Sequence, residues 1–177
     1  MILGSHNSMT YLPVRKWWMK PFAWVARCQH KDICEQYDSG VRLFDMRIAF
    51  GRNGKLHFRH GLIGYKGDVT QVLWLLNSWG DVTVRIILEE RNSDWDSVFR
   101  YYVSLWEQSY PDIKFVAGVR KYGWAQLCGL PQIEGDMLQW CASMQGGKLS
   151  ALYPWRWAKR HAEEPMTDKM YVLKDFV

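Results

Sequence analysis

Two short stretches hold the groups in this 177-residue chain best suited to chemistry. GSHNSMTY, residues 4–11, sets His6 and Asn7 in a polar, turn-forming cluster directly behind the apolar Met1, Ile2 and Leu3. KLHFRHG, residues 55–61, closes on His60 and a glycine. Further ionisable residues interrupt apolar runs: Asp45 and Arg47 in VRLFDMRIAF, Glu89 and Glu90 at the end of DVTVRIILEERN, and Asp175 in the closing MYVLKDFV. Two histidines, a guanidinium and several carboxylates are the groups that general acid–base chemistry on an anion requires. Taken singly, each has a plainer reading. Asp45 and Arg47, two apart on one strand face, would also make a structural ion pair. Glu90 and Arg91 read as a solvated strand end, and Asp175 as surface charge near a terminus.

What unites these residues is position, since nearly all fall at the end of a predicted strand. The first polar cluster reads as a strand ending abruptly in a loop, followed by the Trp-rich connection RKWWMKPFAW. HKDICEQYD (30–38) is a predicted helix stopped at Ser39-Gly40. Residues 41–50 and 55–61 form a predicted hairpin around Asn53-Gly54. A helix over 68–80, a strand over 81–92 and a helix over 93–112 follow, the last opened by a Ser/Asp cap and ended at proline. Residues 113–119, 136–143 and 170–177 are predicted strands, with the basic helix PWRWAKRHAEE between the last two. Such alternation predicts an α/β protein with a parallel sheet, open or closed into a barrel. In a barrel the strand ends share one face, so the polar groups would converge there.

Composition narrows the partners. A single domain is expected at this length, with no repeat or linker marking a boundary. The net charge of +5 favours anionic partners. Eleven Trp, nine Tyr and seven Phe are too many for all to be buried, and Trp17, Trp18 and Phe22, interleaved with Arg15, Lys16 and Lys20, suit either an anionic membrane surface or the barrel wall. Cys28, His30 and Cys34 lack the spacing of a zinc site, and Cys28, Cys34, Cys128 and Cys141 read as buried thiols of a reducing compartment. No run approaches a membrane span and no signal peptide is evident, so the expectation is a cytoplasmic protein, or a secreted one if a segment precedes it. The basic WRWAKR has no recognition motif around it, and nucleic acid is not an expected partner.

In order and at reasonable spacing, GSHNSMTYL, Gln29, EQYDSGVRLFDMRI and HFRHG resemble the X-domain of phosphatidylinositol-specific phospholipase C. That family carries a G-[ST]-H-[DN]-[ST] strand end, a QL-x-x-G-x-R-x-x-[DE]-[LIV]-[RD] strand and a downstream HG. VTVRIILE resembles its next strand, and VLKDFV the last strand of its bacterial branch; residues 120–165 resemble it only weakly. The resemblance implies a compact, distorted TIM-type (β/α) barrel, trimmed relative to typical barrels. It implies a phosphodiesterase with His6 as general base, His60 as general acid, Asp175 behind His6, and Asp45 orienting Arg47 or His60. A phospholipid or other phosphodiester would be the substrate.

The same resemblance bears on cofactors and headgroup. Arginine at position 47 matches the bacterial, metal-independent branch, so no cofactor is expected. Asn7 and Glu89 match the calcium-binding branch, in which Asn7, Asp45 and Glu89 would be the ligands; otherwise Asn7 and Glu89 face the substrate. Trp140, in MLQWCAS, stands where the bacterial enzymes place an inositol-reading aspartate, and would offer a ring face instead. Two alternatives remain: a glycerophosphodiester phosphodiesterase-like enzyme, whose H-R-G opening is absent, and a non-catalytic phospholipid- or phosphate-binding module, which would need neither histidine nor Asp175.

Overall fold

A computed structural model describes residues 1–89, 95–118, 129–163 and 165–177. Its strands are β1 (Ile2–Ser5), β2 (Leu43–Phe50), β3 (Leu56–His60), β4 (Ile63–Gly64), β5 (Val82–Leu88), β6 (Ile113–Ala117), β7 (Met137–Trp140) and β8 (Tyr171–Lys174). The helices are α1 (Ala23–Ala26), α2 (Ile33–Asp38), α3 (Val69–Trp79), α4 (Asp96–Ser109), α5 (Ala142–Gln145), α6 (Gly147–Leu152) and α7 (Pro154–Arg160). Parallel pairing runs β6–β5–β2–β1–β8–β7, and the antiparallel β3–β4 extension hangs on the far end of β2. The sheet curls until β6 approaches the segment before β7, where Ala117 N–H donates to the Pro131 carbonyl at 2.8 Å. This is a distorted TIM-type barrel: the parallel sheet is what the strand–helix alternation anticipates, and its closure into a barrel is what the family resemblance implies.

Local chemistry sets most boundaries. Asp32 and Glu35 form a reciprocal capping box at the start of α2. Asp68 accepts from the Thr70 and Gln71 amides at the start of α3, and Gly80, in the left-handed region at φ 78°, ends it. The predicted strand over 136–143 is shorter than expected: it stops at Trp140, and α5 begins at Ala142. The last strand likewise ends at Lys174, leaving Asp175 just beyond it. The expected Ser/Asp cap of α4, together with Glu90, Arg91 and Cys128, lies outside the described residues.

Strand alternation sorts side chains into two environments. Outward residues of β2, β5 and β6 (Phe44, Met46, Ile48, Val84, Ile86, Phe115) pack with Leu73, Leu76, Phe99, Val103 and Trp106 of the covering helices. Inward residues make a graded barrel interior. Its floor is apolar, built of Leu43, Val116, Met137, Tyr171 and Leu173. Gly4 keeps β1 close to this floor, since a Cβ there would lie 2.9 Å from a Leu173 methyl. One step up β2 stands Asp45, fully buried, with Arg85 of β5 in register beside it. Arg85 Nη1 donates to Asp45 Oδ1 at 2.6 Å, and Arg85 Nη2 to Glu134 Oε1 at 3.1 Å.

A buried pair of this kind tolerates loss of both partners better than loss of one, because a lone buried charge has nothing to replace its hydration. Asp45→Asn should therefore cost about 3–5 kcal/mol in urea unfolding. The double variant Asp45→Leu/Arg85→Met should recover the part of that loss due to stranding Arg85, with Glu134 free to rehydrate at its partly exposed position. The part due to the Asn7 amide and Arg47 losing their acceptor should remain.

Candidate active site

The ends of β1 and β8 bring the first site pair together. Their parallel register matches Ser5 with Lys174, and the next residues, His6 and Asp175, stand side by side. His6 N–H donates to the Lys174 carbonyl at 2.8 Å. Gln29 stitches the corner, its Nε2 donating to the carbonyls of His6 and Lys174, each at 3.0 Å. His6 Nδ1 lies 2.7 Å from Asp175 Oδ1, while Asp175 Oδ2 accepts the Ala142 amide at 2.9 Å. Both carboxylate oxygens are thus held, which fixes the imidazole with its proton on Nδ1 and its Nε2 lone pair turned inward.

His60 is built as a second copy of that arrangement. The β2–β3 hairpin carries it over the barrel mouth, and its Nδ1–H donates to the Ala26 carbonyl at 2.8 Å. Its Nε2 lies 3.4 Å from Asn7 Nδ2, which also donates to His6 Nε2 at 3.1 Å. The two rings stand edge to face, 6.2 Å apart. Asn7 reaches both because its backbone adopts the left-handed region, at φ 48°, where asparagine is tolerated better than most residues. Its Oδ1 is buried without a partner.

Arg47 completes the cluster, donating from Nη2 to His6 Nε2 at 3.0 Å. Its Nε is 3.4 Å from Asp45 Oδ2 and its Nη1 3.8 Å from Glu89 Oε2. Asp45 Oδ2 accepts the Asn7 amide at 3.0 Å, and Glu89 Oε1 accepts the Gly61 amide at 3.1 Å. Burial opposes ionisation of Asp45, but the Arg85 and Arg47 guanidinium groups outweigh it and hold this carboxyl below the usual carboxylate range.

The histidines are pushed in opposite directions. Burial favours neutral His6, yet the negative charge available at Cys141, Asp175 and Cys28 outweighs it and raises the His6 pKa well above 6.5. A second proton on His6 would face the Arg47 and Asn7 donors. It is accommodated only if Arg47 swings toward Glu89 and the Asn7 amide turns its free oxygen inward. Burial and then the Arg47 charge push His60 down to about 4. The paired site therefore binds one proton readily and a second only in acid.

Of the residues singled out in the sequence, His6, Asn7, Asp45, Arg47, His60, Glu89 and Asp175 all converge. Trp140 does not: its ring packs on Trp157 and His161, and its Nε1 donates to the His161 carbonyl at 3.2 Å. Its register partner is Lys174, on the barrel face opposite Asp175. Asn7, Asp45 and Glu89 do not fit calcium, because the Asp45 oxygens are engaged by Arg85, Arg47 and a backbone amide, and Arg47 lies against Glu89. Cys28 is buried beside the histidines whereas Cys34 is exposed, so these two cysteines do not form a site with His30. Arg85 escaped the sequence reading, although a charge inside VTVRIILE carries the same signal as Asp45 in VRLFDMRI. Cys28 and Cys141 were read only as thiols, and nothing local marks them as neighbours of His6.

No family model matches the chain, and no curated protein matches it. Solved structures do. The phosphatidylinositol-specific phospholipase C of Listeria monocytogenes superposes with a TM-score of 0.56 at 16% identity, over 78% of this chain and 59% of that one. A variant of the corresponding Staphylococcus aureus enzyme gives 0.62 at 14% identity, over 99% and 84%. Another S. aureus structure, concerned with modulation of membrane binding, gives 0.50 at 20% identity, over 66% and 46%. The chain thus spans about three fifths of the Listeria enzyme. At these identities the likeness is one of fold.

The opposed pKa directions are directly measurable. By imidazole NMR, His60 should stay neutral down to a pKa of about 4, and Arg47→Gln should raise that value. Because the unfolded chain takes up this proton near 6.5 and the folded chain only near 4, His60 makes stability fall as pH is lowered between those values. His60→Gln should remove that part of the slope.

Proposed function

We propose that this protein is a phosphodiesterase of the phospholipase C type, cleaving by two-histidine general acid–base catalysis without a metal. The observation that supports it most is the matched pair of Nε2 atoms on His6 and His60, each ring held from behind at Nδ1, with Arg47 against one of them. An anionic phosphodiester drawn to Arg47 neutralises the charge that depresses His60, so its Nε2 gains a proton and serves as acid to the departing alkoxide. His6, with Asp175 behind it, takes the proton from a neighbouring hydroxyl as that oxygen attacks phosphorus. A cyclic phosphate results, and exchange of the two roles lets water open it. Arg47, anchored by Asp45, supplies the fixed positive charge that a metal would otherwise bring. Asn7, whose Nδ2 lies 3.1 Å from His6 Nε2 and 3.4 Å from His60 Nε2, offers a donor to the phosphodiester between the two rings.

A phospholipid is the substrate class we favour, because an aromatic and basic surface adjoins the site. Trp17, Trp18 and Phe22 are exposed, and Trp24 packs at a tilt against Tyr153, with ring centroids 5.1 Å apart. Lys20, Arg27, Trp24 and Trp155 line a cavity of about 390 Å³ beside them. The same segment ends in α1, whose last residue, Ala26, holds His60. Among the described residues no helix is long and apolar enough to cross a membrane. We read this surface as a peripheral contact for anionic lipid.

The decisive assay is a panel of phosphatidylinositol, other phospholipids, glycerophosphodiesters and a chromogenic phosphodiester, with and without chelator. Cleavage should survive excess EDTA, and His6→Ala and His60→Ala should each lose at least ~10²-fold in rate. Folded variants with near wild-type rates would remove the assignment. The pH profile of kcat/KM should be a bell with its acidic limb near 4 and its basic limb above 6.5, and Asp175→Asn should pull the basic limb down. In sedimentation with anionic vesicles, Trp17→Ala/Trp18→Ala should weaken binding by at least ~10-fold; unchanged binding would mean that lipid is met elsewhere.

A further inference from the structure

The parallel registers that join His6 to Asp175 extend one strand further. β7 pairs with β8 so that Trp140 lies opposite Lys174, and the residue after Trp140 is Cys141. His6, Asp175 and Cys141 therefore follow the ends of three adjacent parallel strands at one level, all three buried. A nitrogen, a carboxylate oxygen and a sulfur of these residues lie within 4.8 Å of one another. No other group of three such side chains among the described residues comes together in this way. The phosphodiesterase reading uses His6 and Asp175 but has no need of a thiol.

We propose that His6, Asp175 and Cys141 form a binding site for a thiophilic divalent cation, zinc above all, and that occupancy silences His6. Mixed nitrogen, sulfur and oxygen donors suit zinc, at about 2.0–2.3 Å from each ligand, whereas calcium and magnesium require oxygen. Those bond lengths place tetrahedral ligands about 3.3–3.7 Å apart, so no pair need close by more than about 1.5 Å, while His6 Nδ1 and Asp175 Oδ1, now 2.7 Å apart, must open by roughly half an ångström. A cation between His6 Nδ1 and Asp175 replaces the proton they now share.

The proton balance is explicit. Cys141 releases its thiol proton and binds as thiolate, and the His6 Nδ1 proton either relocates to Nε2 or, if Nε2 is already protonated, leaves to solvent. With the thiolate and carboxylate the divalent charge is neutralised, and the fourth position is left for water. A metal-bound imidazole needs an acceptor for its other N–H. The Asn7 amide, whose Oδ1 is buried and unpartnered, supplies one by turning over. Arg47 then swings from Nε2 toward Glu89, already 3.8 Å away. His6 in this state has no lone pair with which to accept a substrate proton.

The test uses the reduced, metal-stripped full chain and reads binding, so it stands apart from whether any phosphodiester is cleaved. Zinc chloride alone should bind with one equivalent, release protons and raise the melting temperature in proportion to log concentration. Cobalt(II) should give a thiolate-to-metal charge-transfer band. Cys141→Ser should abolish the band and weaken zinc binding by at least ~100-fold, the upper end of what loss of even an outer-shell partner costs. Cys34→Ser and Cys128→Ser should keep both. Asp175→Asn should weaken binding while keeping the band, which preserves the test if Cys141→Ser fails to fold. Absence of stoichiometric zinc binding would overturn the proposal. So would a cobalt band that survives Cys141→Ser or disappears in Cys34→Ser or Cys128→Ser.

Discussion

Asp45 is the constraint from which the rest of the site is organised. A carboxylate with no exposed surface in the middle of a barrel strand persists only because both of its oxygens are engaged by donors, two of them charged. Arg85 satisfies one oxygen from the neighbouring strand; the Asn7 amide and the Arg47 guanidinium share the other. Through that amide the Asp45 carboxylate fixes the loop after β1, and hence where His6 and Asn7 begin. Through Arg47 it fixes the cation that depresses His60. Asp45 therefore joins the packing of the barrel to the charge of its mouth.

The barrel interior is graded for the same reason. On β2 the inward row runs Leu43, Asp45, Arg47, and on β8 it runs Tyr171, Leu173, Asp175. Apolar side chains at the floor exclude water without needing partners, whereas each charge above them must meet its complement from another strand. Polarity rises toward the strand ends, where the mouth of the barrel meets solvent. At the mouth, beside both histidines, the carbonyl oxygen of Asn7 is buried yet unpartnered. A polar atom left in that state is a place where a bound molecule contributes more than it loses.

The paired histidines show how backbone supports set chemistry. One Nδ1 is held by a carboxylate and the other by the Ala26 carbonyl, and that difference in charge contributes to separating their proton affinities. Ala26 ends the helix that follows the exposed Trp17–Phe22 turn.

Much of this was legible from the sequence, because strand alternation is a local rule and a charge in an apolar run violates it visibly. His6, Asp45, Arg47, His60, Glu89 and Asp175 were found that way, and the two-residue period alone put Asp45 and Arg47 on one face. The same rule, applied to VTVRIILE, exposes Arg85, which lies mid-strand, away from the strand ends where the other charges gather. Which barrel wall carried Trp140 was settled only by register: its pairing with Lys174 turns it to the face opposite Asp175 and onto Trp157. Nor does any local signal announce that Cys141 stands level with His6, more than a hundred residues earlier in the chain. Spacing along a chain reports what one strand does with its own neighbours. The meeting of three strands depends on crossovers and register, and these are set by the packing of the whole barrel.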